Sequence, residues 1–363
     1  MNRNFFQVFI SLNFFLFIGC SSTQNSQEQY VEEIAKADQL ISNTLDANHL
    51  PGISVTILKD GSNVYSKGFG YADIDEKSKI SPSKTRFRIG SFSKTITASA
   101  LMKLVERGKI ELDSSIYYYV PDYPKKRWEF TSRQIAGHLS GIRSYKKGEM
   151  MINKDFPNVK EALSVFKIDS LLHKPNIKYH YSTHAWTLLS VIIENVSREP
   201  FLDYIQTNVF DVLDMNNTHA EKKNLLGVEK VTYYELDLNK KLIVAPEVNN
   251  SWKWAGGGFI STTEDVAQFL LAHSGYEYLK KTSISEMTTP QKNVNGESTS
   301  YGLGWRTRYD KKNKPLIGHT GGSIGGTTFA FMAAHSNIIV VMTTNLSSAS
   351  FGDLPNDLFE LFE

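Results

Sequence analysis

"RIGSFSKTITASALMKLVERGKIELD", residues 88–113, sets a serine and a lysine three apart where a helical period begins. Ile96, Ala100, Leu101, Leu104 and Val105 recur at helical spacing and the pattern stops at Gly108, so a helix is expected to start at or near Ser91. Two readings of Ser91 and Lys94 compete. Serine is a favoured helix N-cap, and lysine is common on a solvated helix face. The other reading makes the Ser91 hydroxyl a nucleophile, which needs a base within reach because a free hydroxyl is almost fully protonated at neutral pH. A lysine one turn on lies on the same face, and burial beside a positive helix end strips an ammonium of its proton. The Ser91 N–H, an unpaired donor at the helix start, could then face a developing oxyanion. A lone Ser-x-x-Lys does not decide the matter; partners elsewhere in the chain do.

Outward from this stretch, "GISVTILKDGSNVYSKGFG" alternates Ile53, Val55 and Ile57, meets the turn signal Asp60-Gly61 and resumes with Val64, the pattern of an antiparallel hairpin. The middle of the chain is helical in pattern: "KEALSVFKIDSLL", "THAWTLLSVIIENVS" and "EPFLDYIQTNVFDVL". Strand patterns return in "YGLGWRTRY", "KPLIGHTGG", "TTFAFMAA" and "NIIVVMTTN", and "LPNDLFELF" closes as a helix. Strands first, helices in the middle and strands last predict an α/β (α+β) domain built from residues 30–127 and 246–363, with a mostly helical domain, 128–245, inserted between them.

The 363 residues are 41% hydrophobic and 21% charged with a formal net charge of +2, a composition with ample core material. Near-neutral charge speaks against an extended surface for nucleic acid, and "PKKRW" and "YDKKNK" are short enough to be solvated turns. Arg3 is the only charge in the first twenty residues, and the apolar run from Phe5 to Ile18 is interrupted by Gln7, Ser11 and Asn13. That reads as a signal peptide over residues 1–19 rather than a membrane-spanning helix. Cys20 is the only cysteine, so the chain forms no internal disulfide. The polar stretch that follows, to residue 29, reads as a tether.

Two further stretches could complete a site around Ser91. In "HYSTHAW", Tyr181 stands at the entrance to a strongly periodic helix and is a candidate proton relay, the alternative being a core tyrosine with a satisfied hydroxyl. In "IGHTGGSIGG", His319-Thr320-Gly321-Gly322 ends a strand with little side-chain bulk, which permits close approach of backbone to a ligand; Gly325 and Gly326 read as a turn. His180 and His184 have the spacing of a metal-binding helix pair, but His-Glu-x-x-His is absent and no carboxylate completes a set, so no metal is expected. "GFGYAD" does not open a helix as a dinucleotide loop must, and no cofactor is expected. His138 reads as a structural hydrogen-bonding histidine.

Ser-x-x-Lys, Tyr-Ser-x and His-Thr-Gly, in this order, resemble the serine β-lactamases and penicillin-recognising DD-peptidases. "LPGISVTILKDG", "FRIGSFSKTITA", "HLSGIRSY", "WAGGGFISTTEDVAQF" and "GHTGGSIGG" are similar to class C relatives, and "HLSGIR", "YST" and "HTGG" read most like the mitochondrial serine β-lactamase-like branch. The resemblance implies an antiparallel sheet flanked by helices, with Ser91 the acylated nucleophile, Lys94 its base and Tyr181 a proton relay. It further implies an oxyanion hole from the N–H groups of Ser91 and Gly322, and a substrate edge lined by Thr183, His319, Thr320 and Gly321. "LFIGC" resembles a bacterial lipoprotein processing site, which implies lipidated Cys20 on a membrane of the bacterial cell envelope; an ordinary secretory signal or a buried cysteine is the alternative.

His319 stands where many relatives have lysine, and Thr183 where they have asparagine. A histidine near its ordinary pKa of ~6.5 is mostly neutral above pH 7, and threonine lacks an amide to bond a substrate's acyl side chain. Both departures favour a peptidase or esterase over an antibiotic-degrading enzyme, and the preferred reading is a peptidase or amidase on peptide or D-amino-acid-containing substrates. A carboxylesterase or weak β-lactamase is the runner-up, and a non-catalytic envelope binding or assembly protein the rival from another class.

Overall fold

A computed structural model describes residues 29–223 and 229–363; Cys20, the expected signal peptide and nearly all of the expected tether lie outside them. Helix α1 (Val31–Ala47) precedes the hairpin β1 (Gly52–Lys59) and β2 (Ser62–Gly70). Its turn is the expected Asp60-Gly61, with φ of 49° and 79°, the left-handed pair that a tight hairpin needs. The short strand β3 (Phe87–Arg88) runs through a 3₁₀ turn, Gly90–Phe92, into α2 (Ser93–Glu106). Next come α3 (Ile116–Tyr119), α4 (Ser132–Ala136), α5 (Val159–Ala162), α6 (Thr183–Ser197) and α7 (Phe201–Ile205). Strands β4 (His219–Ala220), β5 (Tyr234–Leu236) and β6 (Leu242–Val244) lie in the stretch read as helical. Helix α8 (Trp254–Gly257), β7 (Phe259–Ser261), α9 (Thr263–Ser274) and α10 (Lys281–Thr288) lead to β8 (Arg306–Tyr309), β9 (Pro315–Ser323), β10 (Gly326–Ala333), β11 (Ile338–Thr344) and the closing α11 (Leu354–Leu361).

The main sheet is antiparallel, in the order β2-β1-β11-β10-β9-β8, so the two ends of the chain meet where β1 pairs β11 with Ile53 opposite Thr344. Alternate side chains face opposite layers. Ile53, Val55, Ile57, Val340 and Met342 pack against α1 and α11, whereas Ala330, Met332, Ile339 and Val341 face the helical side. Each such buried aliphatic contributes about 1.5–3 kcal/mol, so a one-residue slip that exchanged the faces would be costly, and the register is fixed. The polar members of β1 are also buried: Ser54 and Thr56 each place a hydroxyl 2.8 Å from Thr263 Oγ1 at the start of α9.

Helix α2 departs from the expected one-sided stripe, being buried on nearly every face from Ser93 to Met102. Its hydroxyls are satisfied by carbonyls of the preceding turn, Thr95 to Phe92 at 2.7 Å and Ser99 to Thr95 at 2.9 Å, which lets a polar sequence run through the core. The helix expected over residues 160–172 is only one turn of α5 and a 3₁₀ turn. Arg143 takes the Val165 carbonyl at 3.0 Å and the Asp169 carboxylate at 2.6 Å, and these tertiary bonds replace helical ones. "YGLGW" is likewise a loop, with β8 starting at Arg306.

Candidate active site

Ser91 caps nothing. It sits in the 3₁₀ turn, Phe92 occupies the N-cap position of α2 without a side-chain cap, and the Ser91 side chain is partly exposed. The Lys94 Nζ lies 3.1 Å from Ser91 Oγ and 3.3 Å from Thr183 Oγ1, and it donates to the Gly256 carbonyl in α8. All three partners are neutral oxygens. Lys94 is fully buried, and burial first, then the charges of Lys253 and Arg306, push its pKa well below the lysine range. A neutral amine has two N–H groups and one lone pair, which matches two acceptors, Gly256 and Thr183, and one O–H donor, Ser91.

Ser182 starts α6. Its side chain accepts from the Ala185 N–H and donates to the Arg143 carbonyl at 2.6 Å, while its own N–H donates to His138 Nδ1 at 3.1 Å. This pinned turn projects Tyr181 on one side and Thr183 on the other. The Lys94 ammonium position is 4.9 Å from the Tyr181 ring centre, and the Ser91 hydroxyl sits against the phenol. Burial raises the Tyr181 pKa, so the group remains a phenol at neutral pH. His138 packs against Tyr181 with ring centres 4.2 Å apart and planes tilted by 38°, and burial holds it neutral.

The third segment is the end of β9. Strand β8 pairs with β9 only as far as Gly318, and the nucleophile turn packs along the remainder. A Cβ built on Gly90 would stand 2.7 Å from Gly322 N and O, and one on Gly321 would stand 2.0 Å from the Ile89 carbonyl. Gly90 has φ of +49°, and only glycine permits both that conformation and this approach. Gly322 is exposed, and its backbone lies against Gly90, the residue before Ser91.

Of the residues expected along the substrate edge, Thr183, His319 and Gly321 are buried and form the wall behind it; Thr320 is partly exposed. Thr183 faces Lys94. His319 Nδ1–H donates to the Thr320 carbonyl, so its Nε2 accepts from the Tyr301 hydroxyl at 2.9 Å, and burial pushes its pKa well below the usual histidine value. His184 bonds Arg143 at 2.9 Å and Glu149 at 3.0 Å in a buried ion network, while His180 neighbours His173, so the two rings do not converge.

Sequence reading missed three members. Arg306 lies 5.9 Å from the Tyr181 ring centre and 5.8 Å from that of Tyr301, with its Nε lacking a hydrogen-bond partner among the described residues. Lys253, on the 3₁₀ turn before α8, is almost fully buried, and burial with the nearby Arg88 pushes its pKa down to about 8. Tyr145 meets Thr183, and burial pushes its phenol up to about 12. No local motif marks any of them, since each is a single polar residue in a loop or at a strand end.

A family model described as Beta-lactamase matches residues 37–359. The human "Serine beta-lactamase-like protein LACTB, mitochondrial" is 30% identical, the alignment covering 82% of this chain and 72% of that protein. The structure of an octameric penicillin-binding protein homologue from Pyrococcus abyssi superposes with a TM-score of 0.75 at 28% identity, covering 87% of this chain and 74% of the other. A D-amino acid amidase from Ochrobactrum anthropi shares the fold, with a TM-score of 0.77 at 22% identity and 90% of this chain and 98% of the other covered.

Proposed function

Because the chain belongs to the beta-lactamase family, we propose that it is a serine acyl hydrolase working through an acyl-enzyme on Ser91, with peptide or D-amino-acid amide bonds as its substrates. The observation that carries this reading is the buried Lys94 amine, 3.1 Å from Ser91 Oγ with only neutral oxygens as partners. Ser91 gives its proton to Lys94 as Oγ bonds to the carbonyl carbon, and the oxyanion is held by the N–H groups of Ser91 and Gly322. Tyr181 passes a proton to the leaving nitrogen as the C–N bond breaks and regains one from Lys94. Water then attacks the ester with its proton taken along the same route. Arg306, beside Tyr181, supplies near the site a positive charge that neutral His319 lacks. The amidase reading also draws on the D-amino acid amidase among the structural neighbours. Lipidation at Cys20 and a position on a bacterial envelope membrane belong to the same proposal and rest on "LFIGC" alone.

A fluorophosphonate probe is expected to label the purified protein once, at Ser91, and to leave Ser91→Ala unlabelled by intact mass. Amino-acid amides should be turned over faster than a chromogenic cephalosporin. Equal labelling of Ser91→Ala would refute the assignment.

A further inference from the structure

Resting on this reading and deepening it, we propose that the cavity beyond the far end of β9 is an acyl-side subsite for a carboxylate carried about three residues before the scissile bond. The direction follows from the site. The leaving group must meet Tyr181, which shares its end of β9 with Tyr301, His319 and Arg306. The acyl portion therefore runs the other way, past Gly322 toward Ser323 and Ile324.

There the Arg88 Nη1 donates to the Ile324 carbonyl at 2.7 Å, and Arg88 lines a cavity of about 280 Å³. Arg88 precedes Ser91 by three residues, so the two Cα atoms lie at most about 11 Å apart, and a substrate of about three residues is long enough to span both places. The floor is built and buried. Arg88 Nε holds Glu221 at 2.8 and 3.0 Å, the Arg88 guanidinium stacks 3.8 Å from the Tyr233 ring centre, and Asn250 Nδ2 donates to Glu221 at 2.6 Å. That last bond orients the amide, and Asn250 Oδ1, in a residue 2% exposed, has no hydrogen-bond partner among the described residues. A peptide N–H would satisfy it.

The rim is basic. Lys222, Lys223 and Lys230 are exposed and line the cavity, where among the described residues Glu247 is the one opposing carboxylate, while Arg88 and Glu221 neutralise each other. An acceptor-only floor atom below a ring of ammonium groups fits an amide followed by an acid. It suits neither a neutral acyl group nor a single amino-acid amide, which would end short of it. Exposed charge pairs are individually weak, so the three lysines together give about a tenfold preference.

The test measures calorimetric binding to Ser91→Ala of N-succinyl-trialanine amide and N-acetyl-trialanine amide, each in L and D form. In the better-bound series the succinyl compound is expected to bind about tenfold tighter, with the difference shrinking as salt rises. Lys222→Gln/Lys223→Gln/Lys230→Gln should bring the succinyl compound down to the acetyl one and leave the acetyl affinity unchanged. Equal affinities, absent binding of the succinyl compound or an unaltered preference in the triple variant would overturn the subsite. Binding needs no turnover, so it is judged separately from Ser91 labelling of the wild type, whose failure would count against the hydrolase reading alone.

Discussion

Among the described residues Lys94 has no acidic partner, and the proposed role as base rests on that. Its neighbours are Ser91, Thr183 and the Gly256 carbonyl, with Lys253 and Arg306 as the nearest charges, so the folded chain binds its proton less readily than the unfolded chain does. The sign of the linkage follows. Below the ordinary value of 10.5 the unfolded state holds the extra proton, and this residue's contribution to stability falls as pH drops toward its depressed folded value. Lys94→Met, which removes both base and buried amine, should slow fluorophosphonate labelling of Ser91 by about 10²- to 10⁴-fold. It should also abolish the acid limb of the labelling rate and leave the melting temperature no lower than wild type. A variant that retains the limb would show that another group accepts the Ser91 proton.

At the scale of elements, the decisive contact is between the 3₁₀ turn and the end of β9, two backbones pressed together through glycines. Gly90→Ala places a Cβ 2.7 Å from Gly322 N and O at a φ of +49°. Left-handed strain alone costs about 1–2 kcal/mol, and rigid backbone cannot yield as a side chain can. A lower melting temperature and at least tenfold slower labelling are expected. Gly322→Ala is the contrasting case, because its Cβ would meet nothing within 4 Å. That variant should melt like wild type yet label more slowly, since the methyl group stands on the open face proposed to take the substrate. Equal effects of the two substitutions on melting would contradict this packing.

Across the whole molecule, helix α9 joins the sheet to the helical side, and His273 near its end is buried between Phe269 and Trp305. Its Nδ1–H donates to the Phe269 carbonyl at 2.7 Å, Ser99 lies 2.7 Å from Nε2, and burial pushes its pKa down to about 4. A depressed histidine is neutral in the folded state, so its contribution is present above 6.5 and is lost as pH falls toward 4. Between pH 7 and pH 5 the wild type should lose about 2 kcal/mol on this account. Urea titrations of wild type and His273→Gln at the two pH values read the difference. Identical pH dependence in both would place the titrating group elsewhere.

The elements legible in the chain are those whose signal is local. The 52–70 hairpin is written in alternation and an Asp-Gly turn, α6 in a 3.6-residue period with Ser182 as its cap, and the Ser91/Lys94 pair in its spacing of three. Segments governed by distant partners were misread: residues 163–172 leave the helix because Arg143 claims Val165 and Asp169, and α2 is buried all round because layers from both ends of the chain close over it. The pairing of Ile53 with Thr344, the pressing of Gly90 on Gly322, and the arrival of Arg306 and Lys253 beside Lys94 are contacts across more than 150 residues of chain. Periodicity cannot encode them, since hydrophobic burial and backbone hydrogen bonding select them only when all the layers pack at once. The amine proposed to activate Ser91 is therefore named by a short motif, and its protonation is set by everything folded around it.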